Sequence, residues 1–255
     1  MTQHQLSGRT DTELLWFQRR GFLQAAAAWT ALGGSVAAQA QSRSNIVELR
    51  GDATLNGERL TPAHTIQTGD TIATGPGSTV IFVLGSSAFH VRQNSMLTME
   101  RGASLLAVSV LRLLTGAVVS VWGKGNRRLI VTPTITAGIR GTGTYTEIFA
   151  EQNGRSYLCN CYGEVDVNAG GDQLISRSSY HQSFWGEVSP KGGHMLTAAG
   201  AFNHTDEELE YLGRLAGQRT AWQIAGFKGV KDGKGYMEDK PGQMNPADML
   251  GKSGT

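Results

Sequence analysis

The sequence predicts a mainly β fold, a sandwich, roll or short solenoid of many short strands, closed by a short C-terminal helix and a flexible tail. Three observations carry this. Runs of four to ten residues rich in Val, Ile, Thr, Leu and Phe recur from 46 to about 190. Turn-forming clusters separate them at roughly 8–15 residues, the spacing of antiparallel all-β folds rather than βαβ units. Glycine supplies 34 of the 255 residues, well above the usual share, with only 6 prolines and no three-residue period, which excludes collagen.

The strand runs are IVELR (46–50), DTIAT (70–74), TVIFVL (79–84), SAFHV (87–91), MLTME (96–100), LLAVSVLRLL (105–114) and AVVSVW (117–122), followed by RLIVT (128–132), TYTEIFA (144–150), RSYLCNC (155–161), EVDVN (164–168) and QLISR (173–177). LNGE (55–58), QTGD (67–70), GPGS (75–78) and NAGGD (168–172) read as turns. After Phe202 the pattern changes. Thr205 can cap a helix, and Glu208, three residues on, can return a hydrogen bond to the Thr205 amide. Leu209, Leu212, Leu215 and Ala216 then recur at helical spacing, predicting one helix over about 206–224. Gly, Lys, Pro and Asp dominate 226–255, which reads as a loosely ordered tail.

Residues 1–40 read as an export signal. Arg19 and Arg20 precede the alanine-rich segment 21–40, which Ala38-Gln39-Ala40 closes in the small-x-small pattern of signal peptidase sites. QRRGFLQ (18–24) resembles the twin-arginine motif, implying a bacterial periplasmic protein. The alternative is a retained membrane anchor, since about 20 residues can just span a bilayer. Gly33, Gly34, Gln24, Thr30 and Ser35 make the segment poorly apolar for that role. Cleavage after Ala40 leaves 20 basic and 19 acidic residues of the 23 and 21 in the whole chain. So even a balance gives no electrostatic case for a nucleic-acid partner. The expected partner is a periplasmic protein or a small ligand.

Residues 51–99 and 131–148 together resemble the FecR-like periplasmic domain. The resemblance rests on an ordered set: Gly51, Asn56-Gly57, Gly69-Asp70 with Thr74, Gly77-Ser78 with Gly85-Ser86, Thr132-Pro133, and Arg140-Gly141-Thr142. It covers roughly 46–170 within a domain placed at 41–200, followed by a C-terminal helix at 201–225 and the tail at 226–255. It implies a β-rich binding module of the kind that relays a receptor signal toward a sigma factor. Only 20 mostly polar residues precede the hydrophobic segment, so a cytoplasmic anti-sigma domain of the usual size is not expected. The role implied is that of a signalling accessory without catalysis.

Within this frame Gly138 and Gly141 flank Arg140, allowing tight bends. The Arg140 guanidinium either satisfies loop carbonyls or, with Thr142, binds a ligand carboxylate at a loop spanning 133–145. KGNRR (124–128) reads as a solvated hairpin tip. There is no nucleophile elbow, phosphate loop or HExxH, and no pair of carboxylates can be matched for glycoside chemistry.

The two cysteines lie in one strand as Cys159-Asn160-Cys161, so their sulfurs project from the same face. A disulfide across i and i+2 of a regular strand would be strained. His181 follows Cys161 by 20 residues, and His204 stands just before the predicted helix, whose N-terminal dipole favours a neutral ring. Cys159, Cys161, His181 and His204 can make a Cys2His2 site for Zn or Cu. Two readings stand beside it: small buried cysteines with unrelated histidines, and a redox-active or intermolecularly linked pair.

Overall fold

The computed structural model describes residues 44–229, Asn126 excepted. The export signal, with Arg19, Arg20, Ala38 and Ala40, and the tail beyond 229 lie outside the described residues. The first half of the fold runs β1 (Ile46–Arg50), β2 (Ala53–Leu55), β3 (Glu58–Arg59), β4 (Thr71–Thr74), β5 (Thr79–Leu84), β6 (Ser87–Val91), β7 (Met96–Arg101). It continues as β8 (Val108–Val121), β9 (Arg128–Val131), β10 (Thr136–Phe149), β11 (Arg155–Ala169), β12 (Asp172–Ser178), β13 (Gln182–Lys191) and β14 (His194–Ala199). Two helices close it, α1 (Asp206–Leu215) and α2 (Ala221–Ala225). The fold is mainly β, as the punctuated apolar runs predict.

The strands join one mixed sheet, and the three longest each serve two neighbourhoods. The start of β8 pairs with β7 and its end with β6. The start of β10 pairs with β9 and its end with β8. The end of β11 pairs with β12 and its start with β13. A strand can change partners only if it bends, and bulges supply the bend. On β10 the register jumps between Arg140 and Gly143, where Gly141 takes a φ of 66°, opposite Gly163 at 100° on β11. Both backbones occupy the left-handed region that glycine enters most cheaply.

This topology corrects several expectations. Residues 136–143 are strand rather than loop, so the proposed ligand loop at 133–145 does not exist as such. Gly138 lies in regular register opposite Asp166 rather than at a bend. The KGNRR segment does not close a hairpin, because β8 and β9 pair in parallel. β13 and β14 lie in a stretch rich in Ser, Gly and His that carries weak strand patterning.

Two apolar clusters occupy opposite faces of the central strands, which is why these strands read as unbroken hydrophobic runs. Phe82, Val118 and Leu158 enter one cluster, with Phe89, Trp122 and Phe184. Ile81, Val119, Tyr157 and Cys159 enter the other, with Tyr145, Cys161, Tyr162, Leu209, Leu212 and Trp222. The second cluster is closed by the two helices. Burial of Leu209, Leu212 and Trp222 contributes about 1.5–3 kcal/mol each.

The single helix expected over 206–224 is two. Thr205 and Glu208 form the predicted capping box. Gly217, at a φ of 68°, then ends α1, with its amide on Arg214 O and the Gln218 amide on Gly213 O. Such a left-handed glycine stops a helix while satisfying its last carbonyls. Thr220 and Gln223 cap α2 in the same reciprocal way.

Candidate metal centre

β11 carries Cys159 and Cys161 into the second cluster, where both are fully buried and neither is in a disulfide. Their sulfurs lie 3.7 Å apart, far beyond the roughly 2.05 Å of a disulfide bond. His181 sits between β12 and β13. Its amide donates to Cys161 O at 2.8 Å, and its φ of 46° turns the ring back over β11. A left-handed histidine costs about 1 kcal/mol or more and persists where surroundings impose it. Here Trp222 stacks on the ring at 5.4 Å between centroids. His204 arrives from the segment after β14 and stacks on Tyr145 at 4.8 Å.

The four side chains converge. One ligand atom from each of Cys159, Cys161, His181 and His204 lies within 4.8 Å of all the others, and all four residues are buried. Cys159 Sγ is 3.5 Å from His181 Nδ1, and His181 Nδ1 is 3.0 Å from His204 Nε2. A tetrahedral zinc ion with Zn–S near 2.3 Å and Zn–N near 2.05 Å would require about 3.8 Å between sulfurs, about 3.6 Å between S and N, and about 3.4 Å between nitrogens. The Cys159–Cys161, Cys159–His181 and His181–His204 separations stand within a few tenths of an ångström of these, and the remaining pairs lie within 4.8 Å.

The ring nitrogens facing away from the cluster are both committed. His204 Nδ1 meets Phe202 O at 2.6 Å, and His181 Nε2 meets Asp206 Oδ1 at 2.8 Å. A carbonyl and a carboxylate only accept, so each of those nitrogens carries its proton. The inner nitrogens, His181 Nδ1 and His204 Nε2, face one another at 3.0 Å. With the outer nitrogens protonated, both would present lone pairs to a bound cation. With two sulfurs at the same point, a metal ion satisfies all four donors, whereas one proton cannot.

The surrounding groups are those that orient metal ligands. Asp206, the first residue of α1, also accepts from Tyr180 Oη at 2.8 Å and pairs with Lys228 Nζ at 2.9 Å. Burial pushes the Cys159 thiol up, but the hydrogen bond from Cys161 and the adjacent His204 and His181 rings outweigh it and hold Cys159 well below the usual thiol range. Burial, reinforced by Asp206, raises the Tyr180 phenol, which stays a donor.

A second buried polar group abuts the cluster. Arg92 donates to both carboxylate oxygens of Glu208 at 2.9 Å and to Tyr145 Oη at 3.2 Å, and also reaches Asn203 O. His90 Nδ1 lies 3.2 Å from Glu208. Tyr145 in turn donates to Glu147 at 2.6 Å.

The residues chosen from sequence divide cleanly. Cys159, Cys161, His181 and His204 come together. Arg140 and Thr142 stand in different surroundings: the Arg140 side chain is about half exposed, 3.6 Å from Asp166, while Thr142 is fully buried. Arg140 meets a carboxylate of its own chain rather than loop carbonyls. His194 stands apart, beside Asp172. Sequence reasoning missed Asp206, Tyr180 and Lys228 around the histidines, and Arg92 and His90 beneath the helix. Asp206 and Tyr180 had a visible signal, standing two residues after His204 and one before His181; Lys228, Arg92 and His90 lie too far along the chain to be linked to either.

No family model matches the chain, and no curated protein matches it. Two solved structures of a candidate anti-sigma factor from Parabacteroides distasonis are similar to it at 10% identity and a TM-score of 0.40. One covers 47% of this chain and 55% of that one, the other 49% and 56%. The chain thus spans about half the length of the solved proteins it matches.

Proposed function

We propose that this chain is an exported, FecR-like binding module that carries a buried Cys2His2 metal centre and serves as a signalling accessory rather than a catalyst. The observation that carries the metal reading is the convergence of four soft and borderline donors, all within 4.8 Å and all buried, with the outer nitrogens of both histidines already bonded. Thiolate and imidazole together select zinc or copper over magnesium or calcium. Four protein ligands at a buried point are typical of a structural rather than a catalytic ion, since catalysis needs an open position. The ordered FecR-like motifs and the twin-arginine resemblance support the periplasmic setting. Metal loading before export also explains how a free dithiol persists in an oxidising compartment.

Elemental analysis of the full chain purified under reducing conditions tests this. One equivalent of zinc or copper, lost in a Cys161→Ser variant, is expected. A metal-free protein whose melting is unchanged by added zinc would sink the reading. Export is tested separately by replacing Arg19 and Arg20 with lysine, which should retain the protein in the cytoplasm.

A further inference from the structure

Three of the four ligands belong to the sheet and its connections, and one does not. Cys159 and Cys161 are on β11, and His181 leads into β13. His204 alone comes from the segment that follows β14, immediately ahead of the α1 cap Thr205. An ion at the cluster is therefore a cross-link between the sheet and the helical segment.

The rest of that segment is tied to the same point. Asp206 at the start of α1 holds the His181 ring, Trp222 in α2 stacks on it, and Lys228 beyond α2 closes on Asp206. Beneath the segment lies the second apolar cluster, with Ile81, Val119, Val121, Tyr145 and Tyr162 among its sheet residues. A contiguous apolar face of this kind is rarely left open to water in a soluble protein unless it meets a partner.

The helices have little order of their own. α1 spans ten residues and α2 five, both below the length at which isolated helices hold in water. The buried Arg92–Glu208 pair adds little net attachment, because each partner regains hydration on separation. His204 is the ligand outside the sheet ladder, so an ion shared with Cys159, Cys161 and His181 ties its segment to the sheet.

We infer that a zinc-class divalent ion held by Cys159, Cys161, His181 and His204 is the latch that keeps the segment 202–228 on the sheet, so that metal occupancy regulates exposure of the apolar face beneath. This rests on the metal reading above. Divalent charge follows from electrostatics: two thiolates and a 2+ ion are neutral together, while Asp206 is balanced by Lys228. A cuprous ion would leave one negative charge in an apolar cluster, which is costly.

Hydrogen exchange of the full chain, compared before and after stripping zinc with a chelator under reducing conditions, tests the latch, with metal content measured on the same samples. Amides of 206–225 should lose protection by about tenfold or more while those of β5 and β8 keep theirs, a dye for apolar surfaces should bind, and zinc should reverse both. A His204→Ala variant should behave like the stripped protein. Zinc that binds and leaves with no loss of protection in 206–225 overturns the latch and spares the metal site. A chain that never takes up zinc overturns both. Stripping the unaltered protein keeps the test valid where the variant fails to fold.

Discussion

Arg92 and Glu208, separated by 116 residues of chain, meet through two hydrogen bonds of 2.9 Å with the carboxylate wholly buried. The same carboxylate accepts from the Thr205 amide and so caps α1. One side chain thus caps the helix and sets where it meets the sheet. Removing one member strands the other without its partner, so Glu208→Gln should lower unfolding stability by about 3 kcal/mol. An Arg92→Met/Glu208→Leu double variant should recover most of that loss. Urea titration of the three proteins checks both statements; a double variant no better than the single one would contradict them.

Acid should act through the same carboxylate. Burial pushes the Glu208 pKa up, but Arg92, His90 and the Thr205 amide outweigh it and hold it below the ordinary 4.5. As pH falls the unfolded chain takes the proton first. The stabilisation is therefore present above about 4.5 and lost as pH falls through the lower folded value. The difference in urea midpoint between the unaltered protein and Glu208→Gln should shrink between about pH 5 and pH 3. Running both proteins with and without chelator separates metal loss from the Glu208 contribution. A constant difference across that range would refute the assignment.

Asp206→Asn should weaken zinc binding by about 10- to 100-fold, because the carboxylate orients the His181 ring through its Nε2. Competition with a chromogenic chelator measures this. Replacing Glu207, more than half exposed and 3.7 Å from Lys228, should leave zinc affinity unchanged.

Gly143→Ala should be destabilising by about 1–3 kcal/mol through overpacking. A Cβ there would stand 2.3 Å from a Tyr162 ring carbon and 2.6 Å from Leu209 Cδ1, where α1 approaches the sheet. Gly57→Ala meets no atom within 4 Å, although its φ of 85° is strained for alanine. Thermal melting of the Gly143 variant, with and without zinc, reads the packing effect directly.

Arg140→Ala should change stability by less than about 0.5 kcal/mol, as expected for an exposed residue 3.6 Å from its carboxylate. A denaturation midpoint displaced well beyond that would restore a structural role to this arginine.

The strand grammar was legible because glycine turns and β-branched runs act locally. So was the capping box, whose two partners are three residues apart. The pairing of Cys159 with Cys161 could be read from the two-residue period of a strand, while donor chemistry only nominated His181 and His204 as companions beside two other readings. What local pattern could not carry was the parallel pairing of β8 with β9 or the bending of β8, β10 and β11, which depend on partners distant in sequence. Residues 136–143 read as loop because Gly138, Gly141 and Gly143 weaken strand patterning, yet the bulge there is what aims β10 into both neighbourhoods.

The chain by itself thus determined that this would be a β protein with a short helical end and a dithiol on one strand face. Those features follow from interactions within a few residues, which any conformation of the segment retains. Only the folded structure decided that the dithiol meets two histidines, that Asp206 and Lys228 close around them, and that Arg92 meets the capping Glu208. Each of these joins side chains 20 or more residues apart, and such encounters are set by how the sheet bends, not by what any stretch of it prefers.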